Sequence, residues 1–487
     1  MGNPSGPTAV DERTAGNLRT GGKPSLRKPW VWRSGGSAGT PAALPMTSLP
    51  PGPISPDGWT WAIRGAIFVA LTAILAYGTA GPGLRPIIRA LEAAHWSHMF
   101  ALPSRVWGSL GLAMLGLRTL LWLRYRPFPA MDPEAAPSMT VVIPAYNEGA
   151  DVEDAIDSVA RADYPRGRLQ IIAVDDGSRD DTWAHIQAAG ARHPGLVEVV
   201  RFPDNRGKRA ALAEGIRRAR GQILVTIDSD SVIERGTLLA IAGPFRDPKV
   251  GAVAGKVVVK NTREGLLPRM LHVRFIIAFD FLRAAQSTYG TVYCCPGALS
   301  AYRLEVVRTV LEPWLAQTFL GQSCTIGEDR ALTNFILSRG YDTVYQRPAV
   351  VHTIVPATYR RLCRMYLRWD RSFIREELHL VRIVWSRPWR ARLVAGLDTC
   401  VANLQFPVWL LGYVLSANVI LHHPSILPRM LEVVGVMALL NTLYYLHSER
   451  SWNFVLEVVY GYFFFFALFW IYPTAFFTLR SRSWMTR

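Results

Sequence analysis

At 487 residues the chain is long for one domain. Half of it is hydrophobic and the mean hydropathy is +0.14, which argues against an ordinary soluble enzyme. A formal charge of +17 suits nucleic acid, an anionic membrane face or a phosphorylated ligand. The apolar runs described next demand a bilayer, so the excess Arg is assigned to membrane-flanking parts and nucleic acid is not an expected partner.

Residues 1–57 are rich in Gly, Pro, Ser and Thr, and read as a disordered cytoplasmic tail. Trp59 to Thr79 is a first membrane-length run, with Arg64 near its start. Residues 80–98 read as a loop, and Val106 to Leu123 as a second span. Arg118 inside that span is expected to snorkel to the interface. Residues 58–126 are thus a two-helix membrane segment. From Ser138 the pattern changes. Short β-branched runs at Met139–Ile143, Leu169–Val174, Val197–Arg201 and Ile223–Ile227 alternate with helical stretches. That alternation predicts a parallel sheet with crossover helices, over 138–358. Residues 359–377 predict an amphipathic helix: Leu362, Met365, Tyr366, Trp369 and Phe373 on one face, Arg361, Arg364, Arg368, Arg371 and Arg375 on the other. Such a helix would lie on anionic lipid, within an interfacial region 359–392. Apolar runs at about 394–421, 428–446 and 452–479 make 393–480 a C-terminal membrane segment, with 481–487 a cytoplasmic tail. After two earlier spans, three here would put the C-terminus outside, whereas Arg480, Arg482 and Arg487 favour the inside; a re-entrant or interfacial run among the three, the last of which contains Pro473, would reconcile the two. The cysteines, Cys294, Cys295, Cys324, Cys363 and Cys400, form no C-x-x-C pair, which argues against zinc and for reduced thiols.

Acidic groups fall at the carboxyl ends of the predicted strands, where ligands of open α/β sheets gather. Asp175-Asp176-Gly177-Ser178 can accept from a nucleoside. Asp228 and Asp230, one residue apart, can converge on a divalent ion; hard oxygens suit Mg²⁺ or Mn²⁺ with diphosphate filling the other positions. Asn205–Arg209, with Lys208, forms a basic, Gly-containing turn before a helix and suits a phosphate. Glu328 or Asp329 can act as a general base. Trp369 can stack on a sugar ring and Arg368 can meet a diphosphate. Cys294–Gly297 reads as a tight loop beside the acceptor.

Together these strings resemble the processive family-2 glycosyltransferases, and within them the hyaluronan synthases. The strings are PAYNE at 144–148, VDDGS at 174–178, NRGKRAA at 205–211, DSDS at 228–231, VGAVAG at 250–255, RAAQS at 283–287, CCPGALSAYR at 294–303, GEDRALTN at 327–334, RWDRSFIRE at 368–376 and the C-terminal WMTR. Rhizobial chitin-oligosaccharide synthases share most of them. The resemblance implies a cytoplasmic α/β GT-A domain inserted between transmembrane helices at the cell membrane, using UDP-sugar donors and a growing polysaccharide acceptor. It implies Asp329 as the base and Asp228 and Asp230 as metal ligands. It implies donor contacts from Tyr146, Glu148, Asp175, Asp176, Lys208, Asp228, Arg368, Trp484 and Arg487, and acceptor contacts from Cys295, Gly297 and Trp369. Met365 stands where the family has the Gln of Q-x-x-R-W, and a thioether cannot donate an amide's hydrogen bonds. Met485 replaces the Gly of W-G-T-R. The expected activity is hyaluronan synthesis from UDP-N-acetylglucosamine and UDP-glucuronate. The alternatives are a chitin-oligosaccharide synthase, a single-transfer enzyme acting on a lipid phosphate, and a non-catalytic membrane partner of another synthase.

Overall fold

The computed structural model describes residues 58–79 and 85–480. The tail over 1–57 and the C-terminal Trp484 and Arg487 lie outside the described residues.

The four sequence-predicted strands form, as β1 (Met139–Ala145), β2 (Leu169–Asp175), β3 (Val197–Arg201) and β4 (Ile223–Thr226). They pair in parallel in the order β3-β2-β1-β4. Every residue of β1 is buried because helices cover both faces. Val141 and Ile143 point into one core, with Val152 and Ile156 of the helix Asp151–Ala160. Val142 points into the other, against Ile216 of the helix Lys208–Arg218. Gly215 lets that helix close on the strand: a Cβ there would sit 2.4 Å from Val142 Cγ1.

The sheet then departs from the all-parallel expectation. Six further strands follow: β5 (Ser231–Ile233), β6 (Val250–Val259), β7 (Ser300–Arg303), and, after a small separate hairpin of β8 (Thr318–Phe319) and β9 (Gln322–Ser323), β10 (Asp342–Thr353). The full order is β3-β2-β1-β4-β7-β6-β10-β5. Strand β7 runs antiparallel to both β4 and β6, and β5 antiparallel to β10. The second half of the sheet is therefore mixed.

Residues 80–98 are not a plain loop. Arg85–Ala93 is a short helix whose Ile88 and Leu91 pack with Leu415, Val419 and Ile426. Among the described residues, Trp96–Arg124 and Pro424–Glu449 are long and apolar enough to cross a membrane. Two bent pairs would raise the number to four, and the apolar helix Gly58–Ile74 is shorter. The pair Trp389–Gln405 and Leu410–His422 bends by 46° around Pro407. The pair Trp452–Leu468 and Ile471–Phe477 bends by 45° where Pro473 has no N–H for the Phe469 carbonyl. Arg118 does not snorkel: its Nε lies 2.8 Å from Asp398 Oδ1 on the helix Trp389–His422. An inward pair removes the need to reach the interface.

Two arginines of the basic face of the helix Tyr359–Val384 turn into the protein, while Arg361 is exposed. Arg371 and Arg375 are buried. Arg371 reaches the Thr478 hydroxyl, and Arg375 reaches the Ile326 carbonyl and the Glu376 carboxylate. Hydrophobic spacing identified the helix, but not that these two guanidiniums would meet protein polar groups, with Arg371 Nη1 left buried and unpartnered.

Candidate active site

The loops at the carboxyl ends of β1 and β2 are tied to each other. Asn147 N donates to Ser178 Oγ (3.0 Å), Arg179 N to Asn147 Oδ1 (2.9 Å) and Glu148 N to Thr182 Oγ1 (2.8 Å). Tyr146 is half-buried on the first of these loops. The two aspartates that follow are buried. Asp175 accepts from Ser178 N at 3.0 Å and ion-pairs with Arg201 at 3.2 Å. Asp176 accepts from Arg206 N and Gly207 N, both at 2.8 Å. Asp175 therefore shapes the turn that follows β2, and Asp176 the turn Asn205–Lys208. Gly177, at φ +72°, lets that turn close over: a Cβ there would lie 2.5 Å from the Asp204 carbonyl carbon.

The turn feeds the helix Lys208–Arg218, and its first two residues diverge. Arg209 points inward, bonding the Trp314 carbonyl and Gln317 Oε1, both at 3.0 Å. Lys208 points into the cleft beyond β4. Its Nζ lies 2.5 Å from Asp228 Oδ1 and 2.8 Å from Glu328 Oε1. Gly297 walls the same spot, since a Cβ there would meet Lys208 Nζ at 2.9 Å and Asp228 Oδ1 at 3.2 Å. The cavity is also lined by Pro144, Tyr302, Trp314 and Asp329.

Glu328 and Asp329 open the helix Glu328–Ser338, and their environments separate them. Burial pushes Glu328 up, but the Lys208 ammonium overrides it and holds the carboxyl down to about 2, with help from Arg368. Asp329 is shifted the other way. Burial raises it, the neighbouring Glu328 charge adds to this, and Lys208 with the backbone N–H groups of Arg330 and Gly297 only partly opposes. Its Oδ1 accepts from Arg330 N (2.7 Å), and its Oδ2 from Gly297 N (3.1 Å) and the Cys294 thiol (3.7 Å). A pair of acids pushed apart in this way is the arrangement in which one stays ionised and the other exchanges a proton.

Asp228 and Asp230 are half-buried at the end of β4. Asp230 accepts from the hydroxyls of Ser231 and Thr353, both at 3.2 Å. These two carboxylates are hard ligands that fit Mg²⁺ or Mn²⁺. Among the described residues no group of three or more His, Cys, Asp or Glu could hold a metal, so other ligand oxygens must complete any such site.

The helix Tyr359–Val384 closes the far side. Gly327, at φ +70°, packs so tightly that a Cβ would meet Ser372 Cβ at 2.4 Å. That contact brings Arg368 close enough to act on Glu328. Trp369 sits among Phe275, Phe279 and Tyr366, with ring centroids 5.8–6.3 Å away. Met365 packs, half-buried, against the same core. The Cys295 side chain is fully buried in the core, and its N–H donates to Thr333 Oγ1 at 3.0 Å. Its neighbour Cys294 is the cysteine that lies beside Asp329. Sequence reasoning also missed Arg283, whose Nε donates to the Cys294 carbonyl at 3.0 Å. Its position in the RAAQS string was the available signal.

Residues 140–311 match the family described as glycosyl transferase family 2. A hyaluronan synthase of Streptococcus pyogenes is 31% identical over 389 residues, covering 78% of this chain and 90% of that protein. The chain belongs to glycosyl transferase family 2. An N-acetylglucosaminyltransferase of Azorhizobium caulinodans is 36% identical over 248 residues, 51% of this chain and 62% of that protein. The Rhizobium meliloti protein of the same name is 36% identical over 253 residues, 52% and 57%. The chain thus matches about three fifths of the length of these rhizobial relatives. A mannosyltransferase of Pyrobaculum calidifontis, solved with GDP-Man and Mn²⁺, superposes with a TM-score of 0.50 at 23% identity, covering 73% of this chain and 98% of that one. The sheet domain of this family-2 glycosyltransferase is therefore GT-A-like. With apolar helices on both sides of it, the chain is a membrane protein.

The closeness of Gly297 to the Lys208–Asp228 pair gives a direct test of the site. Gly297→Ala keeps the N–H that holds Asp329 but pushes on the lysine. Any transferase turnover should fall on the order of 10–100-fold in kcat/KM, as for misplacements of about 1 Å. Steady-state kinetics with unchanged kcat/KM would place the reacting groups elsewhere.

Proposed function

We propose that this protein is an inverting polysaccharide synthase that transfers sugars from UDP donors to a growing β-linked chain and extrudes that chain through its own helices. The leading product is hyaluronan, from UDP-N-acetylglucosamine and UDP-glucuronate. In this reading residues 138–358 form the catalytic domain, cytoplasmic at the cell membrane. The helices of 58–126 and 393–480 form the membrane part, and 359–392 joins the two. The observation that carries the reading is the split acid pair: ionised Glu328 fixed by Lys208, beside a more basic Asp329 at the mouth of the cleft.

Asp329 takes the proton of the acceptor hydroxyl as that oxygen attacks the anomeric carbon. The bond from that carbon to the UDP oxygen breaks on the opposite side, inverting the centre. Lys208 and Arg368 offset charge on the departing diphosphate. Tyr146, Glu148, Asp175 and Asp176 border the nucleoside side, and Trp484 and Arg487 are further donor contacts. Asp228 and Asp230 would hold Mg²⁺ or Mn²⁺. When bound, that ion would neutralise diphosphate charge and favour UDP departure. Trp369 offers the acceptor ring a stacking face, and Gly297 keeps the approach open. A chitin-oligosaccharide synthase using only UDP-N-acetylglucosamine is the second reading, favoured by the 36% identity to the Azorhizobium transferase.

Asp329→Asn should lower transfer by about 10²–10⁴-fold while UDP binding persists, because a base acts in the transition state. Only ionised Asp329 can accept the proton. Since its pKa is raised, wild-type transfer should fall as pH drops through a value above the usual aspartate range, about tenfold per unit. Near-normal turnover of the variant, or an acid limb at an ordinary aspartate pKa, would remove Asp329 from the mechanism.

EDTA should stop UDP release, added Mg²⁺ or Mn²⁺ should restore it, and Asp230→Asn should not be restored. Undiminished release in EDTA would count against the metal role.

Membranes given UDP-N-acetylglucosamine alone should make little polymer, and adding UDP-glucuronate should release hyaluronidase-sensitive product. A chitinase-sensitive product from the single donor would establish the second reading instead.

A further inference from the structure

We infer that Arg283 is an acceptor-positioning residue, its guanidinium donating to a carbonyl or carboxylate oxygen of the sugar at the growing end. This rests on the reading of Asp329 as base and Trp369 as acceptor platform. Arg283 lies between those two groups. Its Nε holds the Cys294 carbonyl at 3.0 Å, and the Cys294 thiol is 3.7 Å from Asp329 Oδ2. On the other side its guanidinium stacks 4.2 Å over the Phe279 ring, and Phe279 packs on Trp369 at 6.3 Å between centroids. One short chain of contacts thus runs from the base to the platform through this arginine.

The basic groups near the cleft differ in what holds them and in where they point. Lys208 is held by Asp228 and Glu328, and Arg330 by Glu377. Arg209 is turned away toward Trp314 and Gln317. Arg283 is 5% exposed, forms no ion pair with a carboxylate among the described residues, and its Nη1 is buried with no hydrogen-bond partner. A buried guanidinium lacking both a counterion and one acceptor is costly to the free protein. A ligand oxygen that supplied the missing acceptor would return that cost as binding. The sugars of either proposed product offer one: an N-acetyl carbonyl in both, and a uronate carboxylate in hyaluronan. The planar fork of Arg suits either oxygen.

The test separates the donor half of the reaction from the acceptor half in the full-length protein. UDP release is measured without acceptor, where water is the nucleophile, and then against oligosaccharides ending in N-acetylhexosamine or in uronate. Arg283→Gln should raise the acceptor KM about tenfold and leave acceptor-free UDP release within about twofold. Arg283→Lys, which keeps the charge but loses the fork, should give an intermediate KM. It carries the same comparison if the glutamine variant does not fold. Loss confined to uronate-ended acceptors would identify a carboxylate partner, and loss confined to N-acetylhexosamine ends a carbonyl; both support the inference. An unchanged acceptor KM, or acceptor-free release that falls as far as transfer, overturns it. Failure of the base reading would appear separately, as retained turnover in Asp329→Asn.

Discussion

The contact on which the site depends is the Lys208 ammonium held between Asp228 and Glu328. It joins three elements distant in sequence: the helix after β3, the end of β4 and the helix that carries Asp329. Removing one partner of a buried ion pair leaves an uncompensated charge and costs about 3–5 kcal/mol. That asymmetry keeps Glu328 ionised, and ionised Glu328 in turn raises Asp329. Lys208 thus holds Glu328 down, while Asp329 is raised first by its burial and then by the Glu328 charge, against a direct downward pull from Lys208. In the proposed reaction the same ammonium would meet the diphosphate charge, so the clamp would be the point at which donor binding reaches Asp329.

A second polar network anchors the clamp from behind. Arg209, next to Lys208, bonds Gln317, and Gln317 donates to the fully buried Glu376 at 3.0 Å. Asn334 and Arg375 donate to the same carboxylate at 3.2 and 2.8 Å. Glu376 therefore gathers the helix of Lys208, the helix of Asp329 and the helix of Arg368 and Trp369. The last of these continues to Arg371, which reaches Thr478 near the C-terminal apolar helices. The network links the cleft to the membrane segment through shared buried hydrogen bonds, although Arg209 Nε, Asn334 Oδ1 and Arg371 Nη1 stay buried without a partner.

The legible part of the molecule was the part whose sequence carries one signal at a time. β-Branched runs ending in acids marked β1, β2 and β4, and the acids fell where strand ends must place them. The short SAYR of β7 shows neither alternation nor branched bulk, and the small residues that open β6 mask the valines that end it; the pairing of both is set by distant partners. Period 3.6 found the helix 359–384 but not what its Arg face meets, since a guanidinium looks the same beside a phosphate headgroup, Thr478 or Glu376. Arg118 is a parallel case: its partner Asp398 is 280 residues away. Spacing placed Cys294–Gly297 correctly in a tight loop, yet only coordinates show which thiol faces the base.

The same limit governs the acid pair. In sequence, Glu328 and Asp329 are equivalent candidates at a helix start, where the helix dipole favours negative charge on both. Nothing local distinguishes them. The distinction comes from two residues far away in sequence: Lys208, which reaches Glu328, and Gly297, whose lack of a side chain lets that lysine and the Asp329 contact coexist. A side chain at 297 would crowd the lysine. Loss of the lysine would leave Glu328 with the burial penalty and no strong counter-charge, and the two carboxyls would drift toward sharing one proton, as acids held close together do. The assignment of base and bystander is therefore a property of the folded cleft and not of the Glu-Asp string itself.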